Sequence, residues 1–270
     1  MDFNGSRALV TGASSGIGAV FARELARRGA HLILAARTES KLYALAAELR
    51  EPSRVSVDVL PVDLAQPGAG GRLAKDLAGR GLEPDVLVNN AGFGLFAPLH
   101  QADQGQIAQE IQVNVVALTE LTTSLLPEML ERDRGVIVNV ASTAGFQPVP
   151  YMSVYGATKA YVLSFTEALW AETRNTGVRV TALCPGATDT SFFDVASEDA
   201  SVGRRMAPEQ VVEAALAAIE HRRSTVIPGL RNRMLANATR LTPRQFLARS
   251  AERTMRPKDS GLCPATPQQA

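Results

Sequence analysis

Thr11-Gly12-Ala13-Ser14-Ser15-Gly16-Ile17-Gly18 stands between a short apolar run, Arg7 to Thr11, and a segment of helical period that begins near Gly16. Its glycines permit a tight turn and let backbone N–H groups approach an anion, and the start of the following helix adds partial positive charge facing it. The spacing is GxxxGxG rather than GxGxxG, so as a bare glycine turn it serves structure as readily as binding. Its place after a strand and before a helix is what points to a dinucleotide pyrophosphate held by Gly12, Ser14, Ser15, Gly16, Ile17 and Gly18.

Outward from this turn, apolar runs alternate with helical segments. Strands are expected at Arg7–Thr11, His31–Ala36, Val55–Val62, Val86–Asn89, Gly135–Val140, Arg179–Cys184 and Ser224–Ile227. Helices are expected near Gly16–Arg28, Glu39–Arg50, Gly71–Arg80, Ala102–Glu131, Tyr155–Arg174 and Pro208–Arg222. Because βαβ crossovers are right-handed, this order predicts an α/β fold, a Rossmann-type doubly wound parallel sheet of about seven strands with helices on both faces. No linker or repeat divides residues 1–230, which read as one dinucleotide-binding catalytic domain. Residues 231–256 hold seven Arg and one acid and read as a basic amphipathic helical extension, and 257–270 as a flexible tail.

Composition excludes several classes. The 270 residues are 46% hydrophobic and 20% charged, which fits a globular protein and argues against long disorder or a fibrous repeat. A net charge of +1 removes a global electrostatic case for nucleic acid. Cys184 and Cys263 have no CxxC or His neighbour, so neither a zinc site nor a disulfide framework is suggested, and a reducing compartment is the simpler home. The N-terminus lacks the basic and apolar regions of a secretory signal. The uncharged stretch Gly135–Thr158 is interrupted by Asn139, Gln147, Pro148 and Pro150 and reads as buried strand plus loop rather than a membrane span. A cytoplasmic location is expected.

Other strand ends carry chemistry. The second strand ends Ala35-Ala36-Arg37, a guanidinium where an acid would otherwise hold the ribose hydroxyls, and this favours NADP(H) over NAD(H). Asp63 is placed to accept from an adenine amino group or simply to shape a turn. Asn89-Asn90-Ala91-Gly92 follows the fourth strand, its amides able to tie loops and its small residues leaving a low floor for a cofactor. Tyr155 and Lys159 stand four apart on one helix face. An ammonium about 4 Å from the phenol at an effective dielectric near 20 is worth about 4 kcal/mol, enough to bring a phenol from near 10 to near neutrality. Ser142 follows the fifth strand, so its hydroxyl is expected at the carboxyl edge where ligands of such sheets bind. Asn114, in register with Ile107, Ile111 and Leu118, is expected on a buried face, either as a satisfied core amide or as the anchor of a water chain.

Together these residues resemble the short-chain dehydrogenase/reductases from about Ser6 to Ile227. Thr11–Gly18 is similar to the family's glycine motif and Asn89–Gly92 to its Asn-Asn-Ala-Gly. Asn114, Ser142, Tyr155 and Lys159 resemble its catalytic tetrad in order and spacing, and Pro185-Gly186 its motif at the nicotinamide. The resemblance implies reversible hydride transfer between NAD(P)H and a carbonyl or alcohol. In that reading Tyr155 exchanges the proton, Lys159 lowers its pKa and binds the nicotinamide ribose, Ser142 positions the oxygen and Asn114 holds a relay water. Arg37 matches the position the family uses to prefer NADP. Thr188 is the candidate for the nicotinamide carboxamide and Thr190 the weaker one, since Ala187-Thr188-Asp189-Thr190 departs from the usual pattern. Homodimers or homotetramers built on two long helices are implied as well.

Two rivals are a non-catalytic dinucleotide sensor, which has no chemical need for the Asn, Ser, Tyr and Lys set, and a partner or membrane-surface protein using residues 231–256. In that segment Met234, Leu235, Ala238 and Leu241, then Phe246, Leu247 and Ala251, recur at helical spacing with Arg largely opposite. The preferred reading docks these stripes on the body and, with the loop Ser191–Met206, closes them over substrate. Phe93, Phe96, Phe146, Met152, Phe192 and Phe193 suggest an apolar pocket, which suits ketones, aldehydes and acyl substrates alike; a 3-oxoacyl thioester reductase is the nearest enzymatic alternative.

Overall fold

The computed structural model describes residues 3–53, 55–197, 200 and 204–257. Cys263 and all but Pro257 of the expected tail therefore lie outside the described residues. The order of elements is β1 (Arg7–Thr11), α1 (Gly16–Arg27), β2 (His31–Ala36), α2 (Glu39–Ser53), β3 (Val57–Pro61), α3 (Ala69–Gly79), β4 (Val86–Asn89), α4 (Gln104–Ile111) and α5 (Leu118–Glu131). Then come β5 (Gly135–Val140), α6 (Ser153–Thr173), β6 (Val178–Leu183), α7 (Phe192–Ala196), α8 (Pro208–Glu220), β7 (Thr225–Val226), α9 (Leu230–Ala238) and α10 (Arg244–Met255).

The seven strands form one sheet in the order β3-β2-β1-β4-β5-β6-β7, every neighbouring pair parallel. Alternate residues of each strand feed opposite faces, so both faces must be covered and the strands read as apolar runs. Val10, Leu32, Leu34, Val88 and Val138 pack with α1, α2 and α8 on one side. Leu9, Ile33, Leu87 and Ile137 pack with α3, α5 and α6 on the other. Chain order reverses between β1 and β4, and the crevice at their carboxyl ends is where such sheets bind ligands.

Polar residues inside this core are paired across elements. Asn89 Nδ2 donates to Thr122 Oγ1 at 3.0 Å and to Asn139 Oδ1 at 2.9 Å, and Asn139 Nδ2 donates to Thr166 Oγ1 at 3.0 Å. The two amides thus tie β4 and β5 to α5 and α6 just beneath the carboxyl edge.

Three expectations need correction. The helix expected over Ala102–Glu131 is a 3-10 turn, then α4, then a π turn over Gln112–Ala117, then α5. Along it Glu110, Asn114 and Ala117 are buried while Ile111 is 41% exposed. The strands expected at Val55–Val62 and Ser224–Ile227 are edge strands trimmed to five and two residues. The apolar stripes of the C-terminal segment are divided: Leu247 and Ala251 lie half-buried on the inner side, whereas Met234, Leu235, Leu241 and Phe246 are exposed. The inner face of α9 belongs instead to Asn232, which fits against the bare Cα of Gly186, and to buried Ala236.

Candidate active site

The crevice is a cavity of about 560 Å³ running along the carboxyl edge of the sheet. One wall is the turn from β1 to α1. Gly12 and Gly16 have φ of 63° and 54°, left-handed values that a side chain disfavours, and a Cβ on Gly12 would lie 2.9 Å from Ala91 Cα. Ser15 is the N-cap of α1 but its side chain does not cap the helix, so the first-turn N–H groups have no side-chain acceptor there. Gly12, Ser14, Ser15, Gly16 and Ile17 line the cavity. Gly18 does not; a Cβ there would collide with Gly12 O and Asn90 Nδ2, so its bareness serves packing of α1 on the turn.

Asn90 clamps this wall. Its Nδ2 donates to Thr11 O at 3.0 Å and to Gly12 O at 3.2 Å, while Thr11 Oγ1 accepts from the N–H groups of Asn90 and Ala91 at 3.0 and 3.1 Å. Asn90, Ala91 and Gly92 form the cavity floor as expected. Beyond β2, exposed Arg37 lines the cavity with Thr38 and Lys41, the latter a cation that sequence reasoning passed over because it sits inside a helix of ordinary polar pattern. Asp63 lines it too, with its carboxylate accepting from Ala65 N at 3.0 Å and Gln66 Nε2 at 3.3 Å, as a turn residue would.

The opposite end gathers Ser142, Tyr155 and Lys159. Ser142 leaves β5 and accepts from Ala144 N at 3.1 Å. Lys159 is buried, and its Nζ donates to Val140 O at 2.7 Å and lies 5.7 Å from the centroid of the Tyr155 ring. The ammonium is therefore held at the end of β5, beside the Tyr155 ring. Burial pushes the Tyr155 phenol up to about 12, with the Ser142 hydrogen bond pulling it back and Glu110 adding to the rise. Burial also brings Lys159 down to about 8, against the opposing effects of Cys184 and Glu110. Desolvation is thus the largest effect on the phenol, where the sequence-based expectation has the ammonium bring it near neutrality.

Asn114 does not line the cavity. Its Nδ2 donates to Phe93 O at 2.9 Å and Thr158 Oγ1 at 3.1 Å, and its Oδ1 accepts from Phe93 N at 3.1 Å. The side chain thus pins the loop after β4 to α6. One turn earlier, Glu110 is 1% exposed, accepts from the Leu95 N–H, and leaves Oε1 without a partner. Its carboxyl is pushed up to about 7 by burial, against the Leu95 hydrogen bond and the charge of Lys159. Nothing in the sequence distinguished this residue from the solvated acids of a helix.

Pro185, Gly186, Thr188 and Thr190 follow β6 into the cavity wall. Thr188 Oγ1 donates to Gly186 O at 3.0 Å, and the methyl of Thr190 lies 3.1 Å from a Cβ built on Gly16. Ser191 Oγ meets Ser15 Oγ at 3.1 Å, latching this loop across the glycine turn. The mouth is apolar: Val149, Met152, Phe96, Tyr155, Phe192, Ala196, Ala200 and Met255 of α10 form one cluster. Phe93, Met152, Phe192 and Phe193 line the cavity as expected. Phe146 does not, packing instead with Val162, Leu163 and Cys184, and Phe96 supports the mouth without lining the cavity. Glu252 of α10 accepts from Tyr151 Oη at 2.9 Å, which holds Met255 over the mouth.

A dinucleotide fits this donor set: a bare glycine cradle and open helix N-terminus for two phosphates, cations at one end, a hydroxyl, phenol and ammonium at the other. Comparison with known proteins agrees. The family model described as short chain dehydrogenase matches residues 6–201, and the chain belongs to that family; it is an oxidoreductase. A short-chain dehydrogenase from Sphingobium yanoikuyae in complex with NADPH is 37% identical, with a TM-score of 0.79 over 87% of this chain and 94% of that one. A short-chain dehydrogenase/reductase from Burkholderia phymatum in complex with NAD is 27% identical, with a TM-score of 0.78 over 88% of this chain and 93% of that one. The very-long-chain 3-oxoacyl-CoA reductase of Bos taurus is 34% identical over 80% of this chain and 69% of its own length. Both of these structural neighbours thus bind a nicotinamide dinucleotide.

Proposed function

We propose that the chain is an NADP(H)-dependent reductase of a carbonyl on a bulky apolar substrate, with Tyr155 as the proton donor. The observation that carries this reading is one cavity with Arg37 and Lys41 at one end and Ser142, Tyr155 and Lys159 at the other. Gly12, Ser14, Ser15, Gly16 and Ile17 hold the pyrophosphate, Arg37 and Lys41 a 2′-phosphate, Asp63 the adenine edge, and Asn90, Ala91 and Gly92 the floor. Gly18 acts by letting α1 close on the turn. Pro185, Gly186 and Thr188 face the nicotinamide. The bound dinucleotide supplies the hydride.

Ser142 Oγ and Tyr155 Oη both donate to the substrate oxygen, and the phenol gives up its proton as negative charge develops there. A phenol near 12 holds that proton until the oxygen demands it. Lys159, brought down to about 8, exchanges protons readily near neutrality and stabilises the phenolate once formed. Asn114 positions Phe93 at the cavity through two hydrogen bonds, and a third ties it to Thr158 of α6. A 3-oxoacyl thioester is the second substrate reading, favoured by the apolar mouth and by the named activity of the bovine relative.

The test is NADPH oxidation with a panel of 3-oxoacyl thioesters and bulky ketones, wild type beside Tyr155→Phe. The expected loss in kcat is about a thousandfold, within the range for a positioned acid, with NADPH affinity unchanged. A Phe variant that keeps its turnover would overturn the assignment.

A further inference from the structure

Residues 230–256 carry a surface that the proposed reaction does not use. On α9, Leu230, Met234 and Ala238 stack at four-residue spacing on the side opposite Asn232 and Ala236, which face the body. Leu230 is 73% exposed, Met234 64% and Leu235 58%; beyond the helix Leu241 is 91% exposed, and on α10 Phe246 is 65% exposed. Arg231, Arg233, Arg244, Arg249 and Arg253 are exposed around them. The segment's one acid, Glu252, lies on the side of α10 toward the body, where Tyr151 and Arg256 hold it. The outer face is therefore apolar residues set among guanidiniums with no carboxylate of its own. Beside Pro150, Arg249, Arg253 and Arg256 also border a hollow that Glu252 lines with them.

We propose that α9 and α10 bind the chain peripherally to an anionic phospholipid surface. Leu230, Met234, Leu241 and Phe246 enter the acyl boundary, and the guanidiniums pair with headgroup phosphates, the arrangement of an interfacial amphipathic helix. A second copy of the same face fits poorly, because two sets of guanidiniums would meet with only the two inward-held Glu252 carboxylates to offset them. A peripheral mode matches the helices, since among the described residues none is long and apolar enough to cross a membrane. The same α10 turns Met255 to the cavity mouth, so a docked chain would hold that mouth close to the lipid.

The experiment is co-sedimentation of the full chain with phosphatidylcholine vesicles and with vesicles containing phosphatidylglycerol, at about 0.1 M and about 1 M salt. Binding is expected to the anionic vesicles only and to fall with salt. Arg249→Gln with Arg253→Gln should weaken it about fivefold per charge, and Leu241→Ser with Phe246→Ser by about tenfold or more, with circular dichroism and melting unchanged. Absence of binding by the folded wild type would overturn the proposal. So would equal binding to neutral vesicles, or a concentration-dependent dimer that the Ser variants abolish while no lipid binds.

Discussion

Glu110→Gln isolates the effect of burying an acid beside the reacting groups. The carboxyl moves from 4.5 to about 7 on folding, mainly through desolvation. The folded state therefore binds this proton more tightly than the unfolded chain, so stability is greatest below about pH 4.5 and declines as pH rises to about 7, the reverse of a salt-bridged acid. A rise of this size corresponds to at most about 3 kcal/mol at 1.4 kcal/mol for each tenfold change. Gln keeps an acceptor for the Leu95 N–H and removes the ionisation. Its melting temperature should match that of the wild type at about pH 4.5 and exceed it by up to about 6–12 °C at about pH 8, at 2–4 °C per kcal/mol for a chain of this size. The assay is calorimetry across that range, with urea midpoints as a second measure. A Gln variant displaced equally at both ends, or less stable at high pH, would refute the reasoning.

Two further substitutions test the frame of the cavity. Asn90→Ala removes the two bonds that tie β4 to Thr11 and Gly12 and leaves buried carbonyls unmet, so it should lower stability by about 1–3 kcal/mol in urea titration and weaken NADPH binding as the glycine wall loosens. Ending the chain after Gly229 removes Met255 from the mouth. NADPH affinity should hold, while KM for a bulky substrate rises and discrimination among substrate sizes falls, measured by steady-state kinetics over an acyl-length series.

The alternation of apolar runs with helical segments was enough to place all seven strands, because a sheet buried on both faces leaves continuous Val, Leu and Ile stretches. The glycine turn, Asn90, Ser142, Tyr155 and Lys159 were legible for a related reason: each sits where a strand ends or a helix begins, and topology alone brings those points together. Residues whose position depends on a local departure from regular geometry were not legible. Glu110 is buried at the end of α4, just before the π turn that carries Asn114, and no polar pattern announces it. The high phenol pKa likewise depends on how far Tyr155 is withdrawn from water. The C-terminal helices show the same limit, since their inner face follows from the vacancy at Gly186 that admits Asn232 and not from their apolar periodicity.

The central claim is that Arg37 and Lys41 make this cavity one for a 2′-phosphorylated dinucleotide. Fluorescence titration of the wild type with NADPH and NADH, beside Arg37→Ala, tests it directly. The account predicts NADPH bound at least about tenfold more tightly, with that preference reduced about tenfold in the variant, the 1.4 kcal/mol of one exposed charge-assisted contact. Equal affinity for the two dinucleotides, or a preference for NADPH that Arg37→Ala leaves intact, would contradict it.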